Sequence, residues 1–165
     1  MSIVREPFQI IYERHFSEIY NYVYGQMLHR ERTEDLVSEI FIKAMTHYGD
    51  YDPEKASVRT WLTRIARNAV IDEFRKNALR NHQSLDDEEN PVEPSYEDDY
   101  GIDQEDARME VCRLFEKLKP DERELLAMIY FQHMKNEEIG SVLGINAKAV
   151  SERHRRLLKK CRKLL

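Results

Sequence analysis

Between Asp86 and Asp106 the chain reads DDEENPVEPSYEDDYGIDQED, eleven acids and two prolines with no lysine or arginine. No compact fold can take such a stretch into its interior. Mutual repulsion and the scarcity of large aliphatic side chains leave too little buried surface to offset the entropy of ordering it. The expectation is a flexible acidic linker over residues 81–106, with one folding unit before it at 1–80 and another after it at 107–165. As a solvated coil such a linker spans roughly 28 Å on average and about 85 Å when fully extended. A second reading is that it mimics nucleic acid and shields basic surfaces elsewhere in the chain. Those surfaces exist. The formal net charge is −5, yet outside this run 26 basic residues face 20 of the 31 acids.

Five glycines and five prolines among 165 residues, with 35% charged and 41% hydrophobic, suit amphipathic helices better than a sheet with many tight turns. The fold class expected is all-α, in two small helical domains. Phe8, Ile11, Tyr12, Phe16, Ile19, Tyr20, Val23 and Met27 mark a first helix. Leu36, Val37, Ile40, Phe41, Ala44 and Met45 mark a second that packs on it, with Thr33 placed to cap its start. Asp35 and Glu39 project from that second helix one turn apart, a pair that spacing alone reads as a solvated face. After the loop YGDYDPEKAS a third helix runs from about Val58 to Arg80. At 100° per residue, Leu62, Ile65, Ala66, Ala69, Val70 and Phe74 share one side and Arg64, Arg67, Asn68 and Arg75 the other, with Trp61 at its edge. Cations for phosphates, a ring for stacking and an amide for a base edge make a candidate surface for single-stranded nucleic acid, although an ordinary solvated face has the same composition.

The C-terminal stretch NEEIGSVLGINAKAVSERHRRLLKKCRKLL is more specific. Asn136 is placed to cap a short helix that opens on Glu137 and Glu138 and buries Ile139, Val142 and Leu143. Gly140 allows a close crossing, Gly144 a left-handed turn, and Asn146 a cap for the next helix. A short helix, a tight glycine turn and a longer basic helix together read as a helix-turn-helix. From Ile145 onward eight Lys and Arg face the single acid Glu152. Val150, Leu157, Cys161, Leu164 and Leu165 form the apolar stripe. Lys148, Ser151, Glu152 and Arg155, on the first turns of the other face, are nominated for base readout in the major groove, and Arg156, Lys159 and Lys163 for phosphates. His154 falls by angle on the apolar side and is expected as a hydrogen-bonded histidine at the edge of the core.

Two lone cysteines, Cys112 and Cys161, lie far apart and without a second Cys or a His at ligand spacing, which argues against a disulfide framework or a zinc site. Both are expected as buried small side chains. No metal or cofactor is expected, nor membrane insertion, and a reducing cytoplasm fits best. No nucleophile, base and metal ligands cluster, so catalysis is the least favoured class.

Three segments in order, EDLVSEIFIKA (Glu34–Ala44), TWLTRIARNAVIDEFRK (Thr60–Lys76) and the stretch from Leu118 to Leu164, resemble the small two-domain bacterial sigma factors of the extracytoplasmic-function group, related to the sigma-70 class. The resemblance implies a promoter-specificity subunit working with core RNA polymerase on promoter DNA, without catalysis of its own and under the control of an anti-sigma factor. It turns Asp35, Glu39 and Phe41 into a polymerase-docking surface. It carries melting and reading of the minus-ten element to the third helix and the loop before it, with a flipped base held by Asn68 and Tyr51 and with Trp61, Arg64, Arg67 and Arg75 alongside. Reading of the minus-thirty-five element falls to Lys148, Ser151, Glu152, Arg155, Arg156 and Lys159. The turn INAKAV and His154 depart from the family's usual small or proline-containing turn and aliphatic residue. Outside this resemblance, a free-standing helix-turn-helix regulator and a protein-binding helical adapter share the same features.

Overall fold

The computed structural model describes residues 5–83 and 105–165, with backbone alone for 81–83 and 105–108. All regular structure among these residues is helical: α1 (Phe8–Met27), α2 (Arg30–His47), a 3-10 turn (Tyr48–Asp50), α3 (Val58–Gln83), α4 (Glu105–Glu116), α5 (Pro120–Leu126), a π turn (Ala127–Phe131), α6 (Asn136–Leu143) and α7 (Ala147–Leu164). Most of the acidic linker expected over 81–106, residues 84–104, lies outside the described residues. α3 runs three residues past the boundary placed at 80, since neither Gly nor Pro interrupts it there. α4 begins at Glu105 within the stretch assigned to the linker, acidic residues being well suited to a helix start.

The first three helices form a bundle. Ile11, Ile19 and Val23 of α1, Leu36, Val37, Ile40 and Ala44 of α2, and Leu62, Ala66, Ala69 and Val70 of α3 are all buried, as the helical periodicity requires. The start of α2 differs from the expectation. His29 is the cap, its Nδ1 accepting the Arg32 amide at 3.2 Å. Thr33 lies one turn inside, fully buried, with its hydroxyl donating to the His29 carbonyl at 2.7 Å. A ring nitrogen can close a helix start as a carboxylate does, but it leaves no familiar capping letter in the sequence. Between α2 and α3, the Asp52 carboxylate accepts the Glu54 amide and the Ser57 hydroxyl accepts the Thr60 amide, so the loop is tied at both ends.

In the C-terminal half, Pro120 opens α5 and the Glu122 carboxylate reaches back to the Lys119 amide at 3.0 Å. The π turn follows, its wider spacing closed by the Gln132 amide on the Ala127 carbonyl. Asn136 is the first residue of α6 rather than its cap, and Lys135 precedes it with extended backbone. Cys112 and Cys161 are both buried, and burial pushes the Cys161 thiol up.

The two halves keep separate sets of helices yet share a core. Gly25 of α1 makes room for this contact: a Cβ there would lie 2.9 Å from the Phe115 ring and 3.2 Å from that of Phe131. Tyr22, fully buried, donates to Glu124 of α5 at 3.5 Å. Burial beside a carboxylate pushes the Tyr22 phenol well above its ordinary value, so it stays protonated and acts as donor. Arg123 reaches from α5 to the Gln26 carbonyl in the last turn of α1, where the helix dipole favours a cation.

Candidate nucleic-acid and polymerase interfaces

The helix-turn-helix forms in register with its sequence signals. A Cβ on Gly140 would sit 2.4 Å from the Ile145 carbonyl oxygen, so the turn folds back on α6 where only glycine fits. Gly144 closes α6 with φ of 73°, and the Ile145 amide donates to the Gly140 carbonyl at 3.0 Å. Asn146 then caps α7, its Oδ1 accepting the Ala149 amide at 2.8 Å. Asn146→Ala should cost about 1 kcal/mol of stability in a thermal melt, the usual loss of a side-chain cap.

Ile139, Val150, Leu157 and Cys161 anchor the pair of helices from below. Leu164 is only half buried, and Leu165, 80% exposed beyond the end of α7, leaves the stripe. The opposite face presents Lys148, Ser151, Arg155, Arg156, Lys159 and Lys163 to solvent. Glu152 is half buried and holds the Arg155 guanidinium at 3.1 Å, and this bond lowers the carboxyl below its usual range. The pair keeps Arg155 oriented in an exposed position, where such a contact is readily exchanged for a base edge. His154 pairs with the Tyr130 hydroxyl at 2.9 Å, as expected of a histidine at the core's edge.

The residues nominated on α3 are divided by the structure. Asn68 and Arg75 are exposed, Arg75 in a loose contact with Asp72 at 3.8 Å. Arg64 and Arg67 turn toward the C-terminal half instead. Arg64 donates to the Ser141 hydroxyl of α6, and Arg67 to the Glu124 carboxylate. Trp61 is half buried against Tyr51 at 4.9 Å and Tyr48 at 6.2 Å between ring centroids. Tyr51 corrects the expectation of an open pocket wall. It is 8% exposed, and its hydroxyl donates to the Ala56 carbonyl at 2.7 Å, so its ring backs Trp61 and braces the loop.

On α2, Asp35 and Glu39 are exposed, while Phe41 is 4% exposed, stacks on Phe16 and meets the Tyr12 ring edge-on. Phe41 therefore supports the candidate docking face from beneath and does not form part of it. Sequence reasoning missed Ile42 and placed Met45 in the core. The structure leaves them 60% and 58% exposed. Ile42 falls within about 60° of Asp35 and Glu39 around the helix axis, with Met45 further round the same side. An acidic stripe flanked by uncovered aliphatic groups fits a protein partner better than solvent. Helical spacing did contain this signal, since Ile42 lies seven positions after Asp35.

Among the described residues no cluster of His, Cys, Asp and Glu could hold a metal ion, and no helix is long and apolar enough to cross a membrane.

Residues 11–80 match the family described as Sigma-70 region 2, and residues 108–161 match Sigma-70, region 4. The chain is 25% identical over 165 residues to the ECF RNA polymerase sigma factor SigX of Bacillus subtilis strain 168, covering 97% of this chain and 84% of that protein. It is 27% identical over 141 residues to the RNA polymerase sigma factor YlaC of the same organism, covering 85% and 81%. In fold it is similar to the sigma factor RpoE of Bartonella quintana, solved with the anti-sigma factor NepR, with a TM-score of 0.76, 18% identity and 95% of each chain covered. With both regions matched in order across most of its length, the chain belongs to the extracytoplasmic-function group of the sigma-70 family of RNA polymerase sigma factors.

Proposed function

We propose that this chain directs core RNA polymerase to specific promoters and helps to open them, through two DNA-facing helices on separate domains at 1–80 and 107–165 joined by the segment 81–106. The observation that carries the reading is the solvent-facing surface of α7, with Lys148, Ser151, Arg155 and Lys159 held outward by a capped glycine turn. α7 reads the minus-thirty-five element, with Glu152 orienting Arg155 and with Arg156 and Lys159 on phosphates. Asn68, at the exposed centre of α3, takes the flipped base of the minus-ten element, with Trp61 and Arg75 beside it. Asp35 and Glu39 dock on the polymerase, joined by Ile42.

The protein works in the cytoplasm, where the polymerase is, and has no catalytic activity of its own. An anti-sigma factor holds it in reserve. The similarity in fold to a sigma factor solved with its inhibitor supports this, as does the exposed α2 face that such a partner could cover.

Run-off transcription with purified core polymerase on genomic fragments tests the reading. New, discrete start sites should appear with the protein and fall at least about tenfold for Asn68→Ala and for Arg155→Ala, each of which removes a contact of roughly 1–3 kcal/mol. Polymerase-independent binding to duplex DNA without initiation would instead indicate a free-standing regulator.

A further inference from the structure

The segment before α1 is tied to the far end of α2. One Arg5 nitrogen, Nη1, donates to the Tyr48 carbonyl at 2.6 Å and to the Gly49 carbonyl at 2.9 Å, across 43 and 44 positions of sequence. The Tyr48 hydroxyl returns the tie by donating to the Glu6 carbonyl at 2.7 Å. Carbonyls at a helix end favour a cation, ordinarily a basic residue of the helix's own last turn. α2 has only His47 there, and the guanidinium comes from a distant part of the chain. It also lies 5.8 Å from the centre of the Tyr48 ring, on which Phe8 packs at 5.6 Å. The Glu6 carboxylate in turn holds both terminal nitrogens of Arg14 on α1, at 3.0 and 3.1 Å, so the segment is anchored behind the contact.

Tyr48 passes this tie on to α3. Its carbonyl also accepts the Tyr51 amide at 3.2 Å, which closes the 3-10 turn. Its ring stacks on Tyr51 at 6.3 Å and lies 6.2 Å from Trp61. Asn68 follows Trp61 by seven positions on α3, within about 20° of the same direction around the helix. We infer that Arg5 is a positioning residue for promoter opening: by holding the Tyr48 and Gly49 carbonyls it fixes the loop from Tyr48 to Ser57 and, through the stacked rings, the Trp61 indole beside which a separated base is received. The inference rests on the reading of α3 and its loop as the minus-ten site. Arg5, Glu6 and Arg14 are all exposed, so their contacts add little to global stability. Their effect is on the freedom of the loop, because a loop already held in its receiving form loses less entropy when a base arrives.

Arg5→Ala and Tyr48→Phe cut the tie from its two ends in the full chain. Both should keep the circular dichroism and melting temperature of the parent, while amide hydrogen exchange across residues 48–57, read by mass spectrometry, becomes several-fold faster. With core polymerase, on a promoter located by the run-off assay, permanganate oxidation of unpaired thymines should show opening about tenfold slower for Arg5→Ala and slowed less for Tyr48→Phe, with affinity for polymerase unchanged. Arg5→Lys, which restores a cation and its donors, should recover most of the rate. The slope of log rate against log salt should match that of the parent. A slope smaller by about one for Arg5→Ala would mean that Arg5 itself holds a phosphate, and would overturn the positioning role. Unaltered exchange in the loop, or opening at the parent's rate by Arg5→Ala, would overturn it as well. If Arg5→Ala melts early, Tyr48→Phe decides by the same two measurements. Asn68→Ala separates the two failures: slow opening by Asn68→Ala beside normal opening by Arg5→Ala removes Arg5 alone, whereas normal opening by Asn68→Ala, or no start site with the parent, ends the reading of α3 and this inference with it.

Discussion

The Asp35→Lys, Glu39→Lys double variant should lose affinity for core polymerase by at least about 100-fold in a pull-down or fluorescence titration, with its far-ultraviolet circular dichroism and melting temperature unchanged. Both side chains are exposed, so no core contact is broken, and lysine is a good helix former. Reversing two charges at a docking face replaces attraction by repulsion at each, and the partner's groups are left facing like charge. Phe41→Ala provides the contrast. Its ring lies 4.8 Å from Tyr12 and 6.0 Å from Phe16, so truncation should cost about 3–5 kcal/mol of stability, and any loss of binding should follow the loss of fold. Full polymerase binding by the charge-reversed protein would remove Asp35 and Glu39 from the interface.

The second large effect is expected at Gly140. The Gly140→Ala variant gains about 1 kcal/mol in helix propensity. Its new methyl group would nevertheless meet the Ile145 carbonyl at 2.4 Å, and that oxygen belongs to the backbone of the turn and cannot swing aside. The turn must widen, Asn146 and Ile145 must move, and a net loss of about 2–4 kcal/mol follows. Thermal melting should show the C-terminal helices loosening, and promoter-dependent initiation should fall with them. Gly144→Ala makes a sharper comparison. Nothing lies within 4 Å of a Cβ at that position, so only the left-handed backbone with φ of 73° is penalised, by about 1 kcal/mol. A larger loss at Gly144 than at Gly140 would contradict the geometry of the turn.

The helix-turn-helix was readable from the chain because every signal in it is local. Gly144 and Asn146 each act within four residues, and the stripe from Val150 to Cys161 follows helical spacing. The first three helices were readable for the same reason. Phe41 and Met45 show where this stops: periodicity defines an apolar sector but not its edges, so it placed both in the stripe, whereas the structure buries Phe41 and leaves Met45 58% exposed. Tyr51 was nominated by the resemblance alone, and the composition of its loop does not say that its ring turns inward onto Trp61. The contact between the halves left no local trace at all. Tyr22 and Glu124 are 102 positions apart, and nothing near either residue announces the other. An acidic run between the halves suggested independence, whereas their apolar surfaces meet.

The aromatic nest at the end of α2 has an optical consequence. Trp61 is the only tryptophan in the chain, and it sits beside Tyr48 and Tyr51, both within energy-transfer distance. Its emission therefore comes from one place, the first turn of α3. A base stacking on the half-exposed indole would quench that emission. The protein thus carries an unmodified, label-free reporter of events at the start of α3, with Tyr48 and Tyr51 beside it as energy donors.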